Sequence, residues 1–296
     1  MASYDSSRYV KRRTVNTRAS AGYLAVALVA APVIAGSLYS GAAALGMVGA
    51  GATGFDPSRV LRVLVDAETW RSVAWTAYTA GLATLLATAG ALLVSVQIQR
   101  STAGRWLATF PLSMPYVAAG LAALLLFGQS GLLSRLAFHA GLVAQPGDFP
   151  VLVYDRPGIA LILAFAWKEF PFLALTALAV LDTRGHVFED TARTLGASAR
   201  QTFRRITLPL LLRGIAPAVI AGFAYLVGQY ELAVLLAPSD PQPLAVLTYE
   251  RAFDPDLGRR GEAHALGLLA MIACAGLVLV HERVRRSATH LVRGRA

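Results

Sequence analysis

Cysteine is nearly absent from this 296-residue chain: Cys274 stands alone, so no intrachain disulfide and no cysteine cluster can form. Lysine is almost as scarce. Lys11 follows Val10 and Lys168 follows Trp167, so neither lies in the Gly-Lys-Ser/Thr turn that a phosphate loop needs to reach a terminal phosphate. The histidines, His139, His186, His264, His281 and His290, form no His-Glu-x-x-His metal pair, and Gly-x-Ser-x-Gly is missing as well. An enzyme therefore has no reaction centre to stand on.

Charge is short too. Only 15% of residues are charged while 56% are hydrophobic, more apolar surface than a soluble core of this size buries. What the sequence has in quantity is long apolar runs. Crossing a hydrocarbon layer of about 30 Å takes roughly 20 apolar helical residues, because only a helix satisfies its own backbone there. Six runs pass, near Ala21–Val48, Val73–Ile98, Leu107–Phe127, Ile159–Leu181, Ile215–Ala237 and His264–Val280. The first is longer than the usual core of a secretion signal, about 7–15 residues, and is expected to be retained as a helix.

Arginine orients the bundle, since positively charged loops stay on the cytoplasmic side. With the N-terminus inside, 18 of the 27 basic residues fall in the tails and inner gaps, eight in the outer gaps, and Lys168 within a span. Both termini are thus expected in the cytoplasm. The net charge of +10 follows from this topology and from attraction to anionic headgroups, and no nucleic-acid partner is expected. No repeat of about 20–50 residues and no separate globular part is evident. The organisation reads as a tail over 1–20, one six-helix transmembrane domain over 21–282, and a tail over 283–296. Leu132, Leu133, Leu136, Ala137 and Ala140 recur at helical spacing and predict a short helix at the membrane surface.

The inner loop over 182–213 has the pattern of a mechanical part. Phe188 to Leu195 predicts a short helix, Gly196 a turn, and the residues after it a second helix leading to Pro209. Phe203, Ile206 and Leu210 form an apolar stripe opposite Arg200, Arg204 and Arg205, suited to docking in a groove of another protein. The stretch Glu189-Asp190-Thr191-Ala192-Arg193-Thr194-Leu195-Gly196, followed by Ile206-Thr207-Leu208-Pro209, resembles the cytoplasmic EAA loop of permease subunits in binding-protein-dependent ABC importers. Asp190 stands at that motif's usual Glu and Thr191 replaces its first Ala. Phe110-Pro111-Leu112-Ser113-Met114-Pro115 with Gly120 is similar to a proline-containing segment of the same permeases, and the resemblance runs from about Val73 onward. Tyr230-Glu231-Leu232 with Pro241-Gln242-Pro243-Leu244-Ala245-Val246-Leu247 resembles the subgroup serving polyamine, ferric iron and thiamine.

The resemblance implies an all-α membrane protein with six transmembrane helices, type I ABC importer permease-like, in a bacterial cytoplasmic membrane. It implies that Glu189, Asp190, Ala192, Arg193, Gly196, Ile206, Leu208 and Pro209 couple to a separate ATPase. This chain then carries no cofactor; ATP and Mg belong to a dimer of partner ATP-binding subunits. The other implied partners are a second permease subunit, heterodimeric in preference to homodimeric, an extracytoplasmic solute-binding protein, and membrane lipid. The solute would be small and polar or cationic, polyamine-like.

Charged residues inside spans point the same way. Lys168 and Glu169 fall mid-span, where an ionised side chain costs about 2.5–3.5 kcal/mol on insertion scales and must escape lipid. With Gln229, Tyr230 and Glu231 they are the candidate pathway residues; the competing reading of each is a polar link between helices. Ala80, Thr84 and Thr88, and Ala83, Ala87 and Ala91, form small-residue stripes for close packing. An ion-gradient-driven secondary transporter working through Glu169 and Glu231 is the alternative, and a membrane scaffold a third.

Overall fold

A computed structural model describes residues 7–49, 51–52, 54–99 and 101–293. Residues 1–6 and 294–296 of the expected tails, and Arg100, lie outside the described residues. Helices α1 (Ser7–Ala44), α2 (Ser58–Val65) and α3 (Ala67–Ile98) lead to α4 (Thr102–Thr109), which a 3-10 turn (Phe110–Ser113) prolongs. Next come α5 (Tyr116–Phe127), α6 (Leu132–His139) and α7 (Ile159–Val180), then the small helices α8 (His186–Thr194) and α9 (Ala199–Thr202). The chain closes with α10 (Leu208–Val227), α11 (Glu231–Leu236), α12 (Leu244–Ala252) and α13 (Leu257–Arg293). Six helical stretches among the described residues are long and apolar enough to cross a membrane: Gly22–Ala44, Ala67–Ile98, Tyr116–His139, Ile159–Thr183, Ala199–Val227 and Leu257–Arg286. A short helix is present where one was expected, as α6, and it falls at the end of the apolar stretch Tyr116–His139.

Two spans differ from expectation for identifiable reasons. Pro111 and Pro115 supply no backbone N–H, so α4 ends at Thr109 and the helix restarts only at Tyr116. The run from Leu107 to Phe127 is therefore a broken segment. In the fifth span the helix begins at Leu208 and stops at Val227, where Gly228 to Tyr230 interrupt it before α11. Glu231 accordingly opens a short helix at this break and is exposed.

The small-residue stripe of α3 forms the spine of the bundle. Ala80, Ala83, Ala87 and Ala91 are all buried. Trp75, Ala80 and Ala83 share a cluster with Ala160, Ile162 and Phe165, while Leu92 and Val96 pack with Ala177 and Leu181 further along, so α3 and α7 run parallel. Small side chains let the two axes approach closely, which is how helices associate where no water drives them together. α10 returns antiparallel beside α7, with Gly214 lying so near Val180 that a Cβ there would come within 2.6 Å of its Cγ2.

At the end away from the 182–213 loop, Arg251 of α12 is pinned among carboxylates. Its Nη2 donates to Asp66 Oδ2 at 2.6 Å and to Glu68 Oε2 at 3.0 Å, and its Nη1 to Glu262 Oε2 at 3.3 Å. Arg62 Nε donates to the other oxygen of Glu262 at 2.8 Å. One guanidinium thus ties α12 to the starts of α3 and α13. Burial pushes the Asp66 carboxyl up, but the Arg251 hydrogen bond, the Glu68 N–H and the Thr69 hydroxyl outweigh it and hold the group below the usual carboxylate range. We expect Arg251→Met to cost about 2 kcal/mol at pH 7, less than the roughly 3–5 kcal/mol of a fully buried pair because Glu68 is half exposed. Asp66 is depressed in the folded state, so its contribution is complete above about pH 4 and lost as pH falls through the folded value. Thermal unfolding in detergent should show the variant's deficit at pH 7 shrinking below pH 4.

Candidate functional site

The loop from α7 to α10 folds as an elbow. α8 ends in a turn at Gly196, whose φ of +82° lies in the left-handed region that a side chain disfavours. The Gly196 N–H donates to Arg193 O and the Ala197 N–H to Ala192 O, both at 3.0 Å, closing the helix end. The second arm starts with a capping box: Ser198 Oγ accepts from the Gln201 N–H at 3.3 Å, and Gln201 Oε1 accepts from the Ser198 N–H at 2.9 Å. A π-type turn over Phe203–Thr207 carries the chain into α10.

The expected coupling residues divide into two sets. Asp190, Arg193 and Gly196 are exposed, and Ile206, Leu208 and Pro209 are half-buried along the second arm. Glu189 and Ala192 instead face inward. Thr207 donates its hydroxyl proton to Glu189 Oε1 at 2.7 Å, linking the two arms across 18 residues of chain. The apolar groups that stand out are Phe188, half exposed, and Leu195, 83% exposed at the apex; Arg193, Arg200, Arg204 and Arg205 of the same loop are exposed as well. At the base, Arg105 grips Asp182 with two hydrogen bonds of 2.9 Å. Neither Thr207 nor Asp182 stood out in the sequence. The cap at Ser198 was missed, and the spacing Ser198-x-x-Gln201 is the signal that marks it; the pairing of Glu189 with Thr207 carries no local signal.

The polar centre of the bundle lies along α7 and α10. Lys168, 4% exposed, donates from Nζ to Pro111 O and Met114 O, each at 2.7 Å, and stands 4.5 Å over the Tyr116 ring. At the break between Pro111 and Pro115 this ammonium supplies a donor to Met114 O and a second one to Pro111 O, which also accepts the Met114 N–H at a longer 3.4 Å. Glu169 points elsewhere. It is equally buried, lies against the bare Cα of Gly222 on α10, and its Oε1 has no hydrogen-bond partner among the described residues. Gln229, at the α10–α11 break, donates from Nε2 to Tyr225 Oη at 3.3 Å and accepts the Glu231 N–H at 3.0 Å. Tyr225 is paired with Tyr116 at 5.6 Å between rings, and Tyr230 stacks on Tyr249 at 4.6 Å. The structure therefore brings Lys168 and Glu169 to opposite partners and gathers Gln229, Tyr230 and Glu231 at one break. Among the described residues no cluster of His, Cys, Asp and Glu could hold a metal ion.

Comparison with known proteins gives a consistent result. The family described as "Binding-protein-dependent transport system inner membrane component" matches residues 100–285. The molybdenum transport system permease protein ModB of Mycobacterium bovis is 31% identical over 179 residues, covering 59% of this chain and 62% of the relative. The sulfate transport system permease protein CysT of Salmonella typhimurium is 32% identical over 128 residues, covering 43% and 42%. The matched stretch is thus less than two thirds of either relative. Among solved structures, a bacterial alginate ABC transporter in complex with an alginate pentasaccharide-bound periplasmic protein contains a similar chain, with a TM-score of 0.70 at 18% identity over 95% of this chain and 97% of that one. At that identity the likeness concerns the fold.

Proposed function

This chain belongs to the family of binding-protein-dependent transport system inner membrane components, and on that premise we propose that it forms half of the solute channel of an ATP-driven importer. It is a multi-pass membrane protein and a transport component, not an enzyme. The elbow from α8 to the start of α10 docks on a separate dimer of ATP-binding subunits, where ATP and Mg are held. Both termini lie on the same, cytoplasmic side as the elbow. A second permease subunit, encoded separately, completes the channel, and a solute-binding protein delivers its cargo at the far end.

One observation carries this reading. The elbow projects a left-handed turn and an exposed Leu195 from the bundle, and its arms run into α7 and α10 through one π-helical stretch each, Leu181–Gly185 and Phe203–Thr207. Rigid-body rocking of that helix pair converts a push on the elbow into a change at the polar centre around Glu169 and Gln229. Gln229, Tyr230 and Glu231, at the helix break, line the solute's way, because a break inside a membrane is tolerated where it faces a cavity or protein. Lys168 braces the broken third span.

The relatives named for sulfate and molybdenum favour a small inorganic oxyanion as the solute over the polyamine-like cation that Tyr230-Glu231-Leu232 suggested. Purification in mild detergent should bring down an ATP-binding subunit and a second permease. In liposomes, ATP hydrolysis should rise when the binding protein is loaded with sulfate or molybdate and stay flat with spermidine. Uptake that proceeds without any ATP-binding subunit and collapses with the ion gradient would instead establish the secondary transporter.

A further inference from the structure

We propose that Glu189 is a positioning residue that makes the elbow rigid, so that a push on α8 reaches α10 without being absorbed in the turn at Gly196. The inference rests on the proposed coupling role of the elbow. Within it, Gly196 is the weak point: it has φ +82°, is exposed, and has no atom within 4 Å of where a Cβ would stand. The space beside its Cα is open, so at the turn itself only the backbone bonds from Gly196 N and Ala197 N fix the angle between the arms. Away from the apex, Glu189 is 8% exposed and Thr207 is 2% exposed, and their 2.7 Å hydrogen bond is a side-chain link from α8 to the turn that starts α10. A carboxylate placed there to meet an external partner would face outward, as Asp190 does one residue later. Glu189 faces the other arm instead. A charge-assisted bond out of water is short and stiff, which suits a brace better than an apolar contact that can slide.

The brace makes a distinctive set of expectations. In the assembled complex, Glu189→Ala and Thr207→Val each remove it. Solute uptake should fall about tenfold or more, the scale of a lost hydrogen bond to a charged group, while the ATP-binding subunit still copurifies in full amount. Glu189→Gln retains the acceptor and Thr207→Ser the donor, so both should keep uptake within about threefold of the native chain. The double variant Glu189→Ala with Thr207→Val should be no worse than either single change, because both cut the same link. If the alanine variant is lost from the membrane, the isosteric Thr207→Val carries the test. Native uptake in Thr207→Val, or losses that multiply in the double variant, would overturn the brace. Failure of the unaltered chain to bring down an ATP-binding subunit would instead overturn the coupling reading beneath it.

Discussion

Replacing Gly196 with isoleucine should lower uptake about tenfold or more while leaving the chain in the membrane at native abundance. The left-handed conformation at this position, φ +82°, costs an L-residue about 1–2 kcal/mol, and β-branching makes it worse. No collision is involved, since a Cβ here would meet nothing within 4 Å. The strain is relieved only by giving up the bonds from Gly196 N to Arg193 O and from Ala197 N to Ala192 O, and that swings the second arm away from α8. A penalty of about 1.4 kcal/mol already shifts a conformational equilibrium tenfold. Gly196→Asn supplies the control. Asparagine visits the same backbone region with little penalty, so its uptake should stay within about threefold of native. Equal activity of the isoleucine and asparagine variants, measured per inserted chain, would remove the elbow from the mechanism.

A methyl group at Gly222 should do comparable damage by a different route. The Glu169 carboxyl occupies the space in which a Cβ on Gly222 would stand, and both residues are buried. Overpacking of this kind costs about 1–3 kcal/mol, because neighbours must leave their rotamers or the helices must part. Gly222→Ala should therefore lower the thermal midpoint in detergent by roughly 5 °C and reduce yield. Adding Glu169→Ala to that chain vacates the space and should restore the midpoint. If it does, uptake by the stable double variant measures what Glu169 contributes beyond filling the crossing. A Gly222→Ala chain as stable as the native one would mean that Glu169 swings clear in solution.

Much of the architecture was legible because hydropathy reports burial in lipid directly. The span from Ile159 was placed correctly at its start, and the Ala80, Ala83, Ala87 and Ala91 stripe marked the face that meets α7. Hydropathy failed where proline or glycine interrupts an apolar run, since Phe110 to Pro115 and Gly228 to Tyr230 are flanked by residues apolar enough for the whole run to be counted as span while their backbones are not helical throughout. That error hid the break at which Glu231 opens α11. Asp190, Arg193 and Gly196 were recognisable from spacing, and they are exposed. Spacing said nothing about which way Glu189 turns, because its partner Thr207 lies beyond the bend. Lys168 was flagged for its energetic cost, yet its role depends on carbonyls 54 and 57 residues earlier. No periodicity within one helix encodes such a contact.

Arg105 and Lys168 fasten the stretch from Thr102 to Met114 at its two ends, the first to Asp182 just beyond α7 and the second to α7 itself. Spectroscopic labels set on α4 and α7 should accordingly read one constant separation in every state of the proposed importer. The same labels on α4 and α5 straddle the joint at Pro115, and that is the pair with something to record.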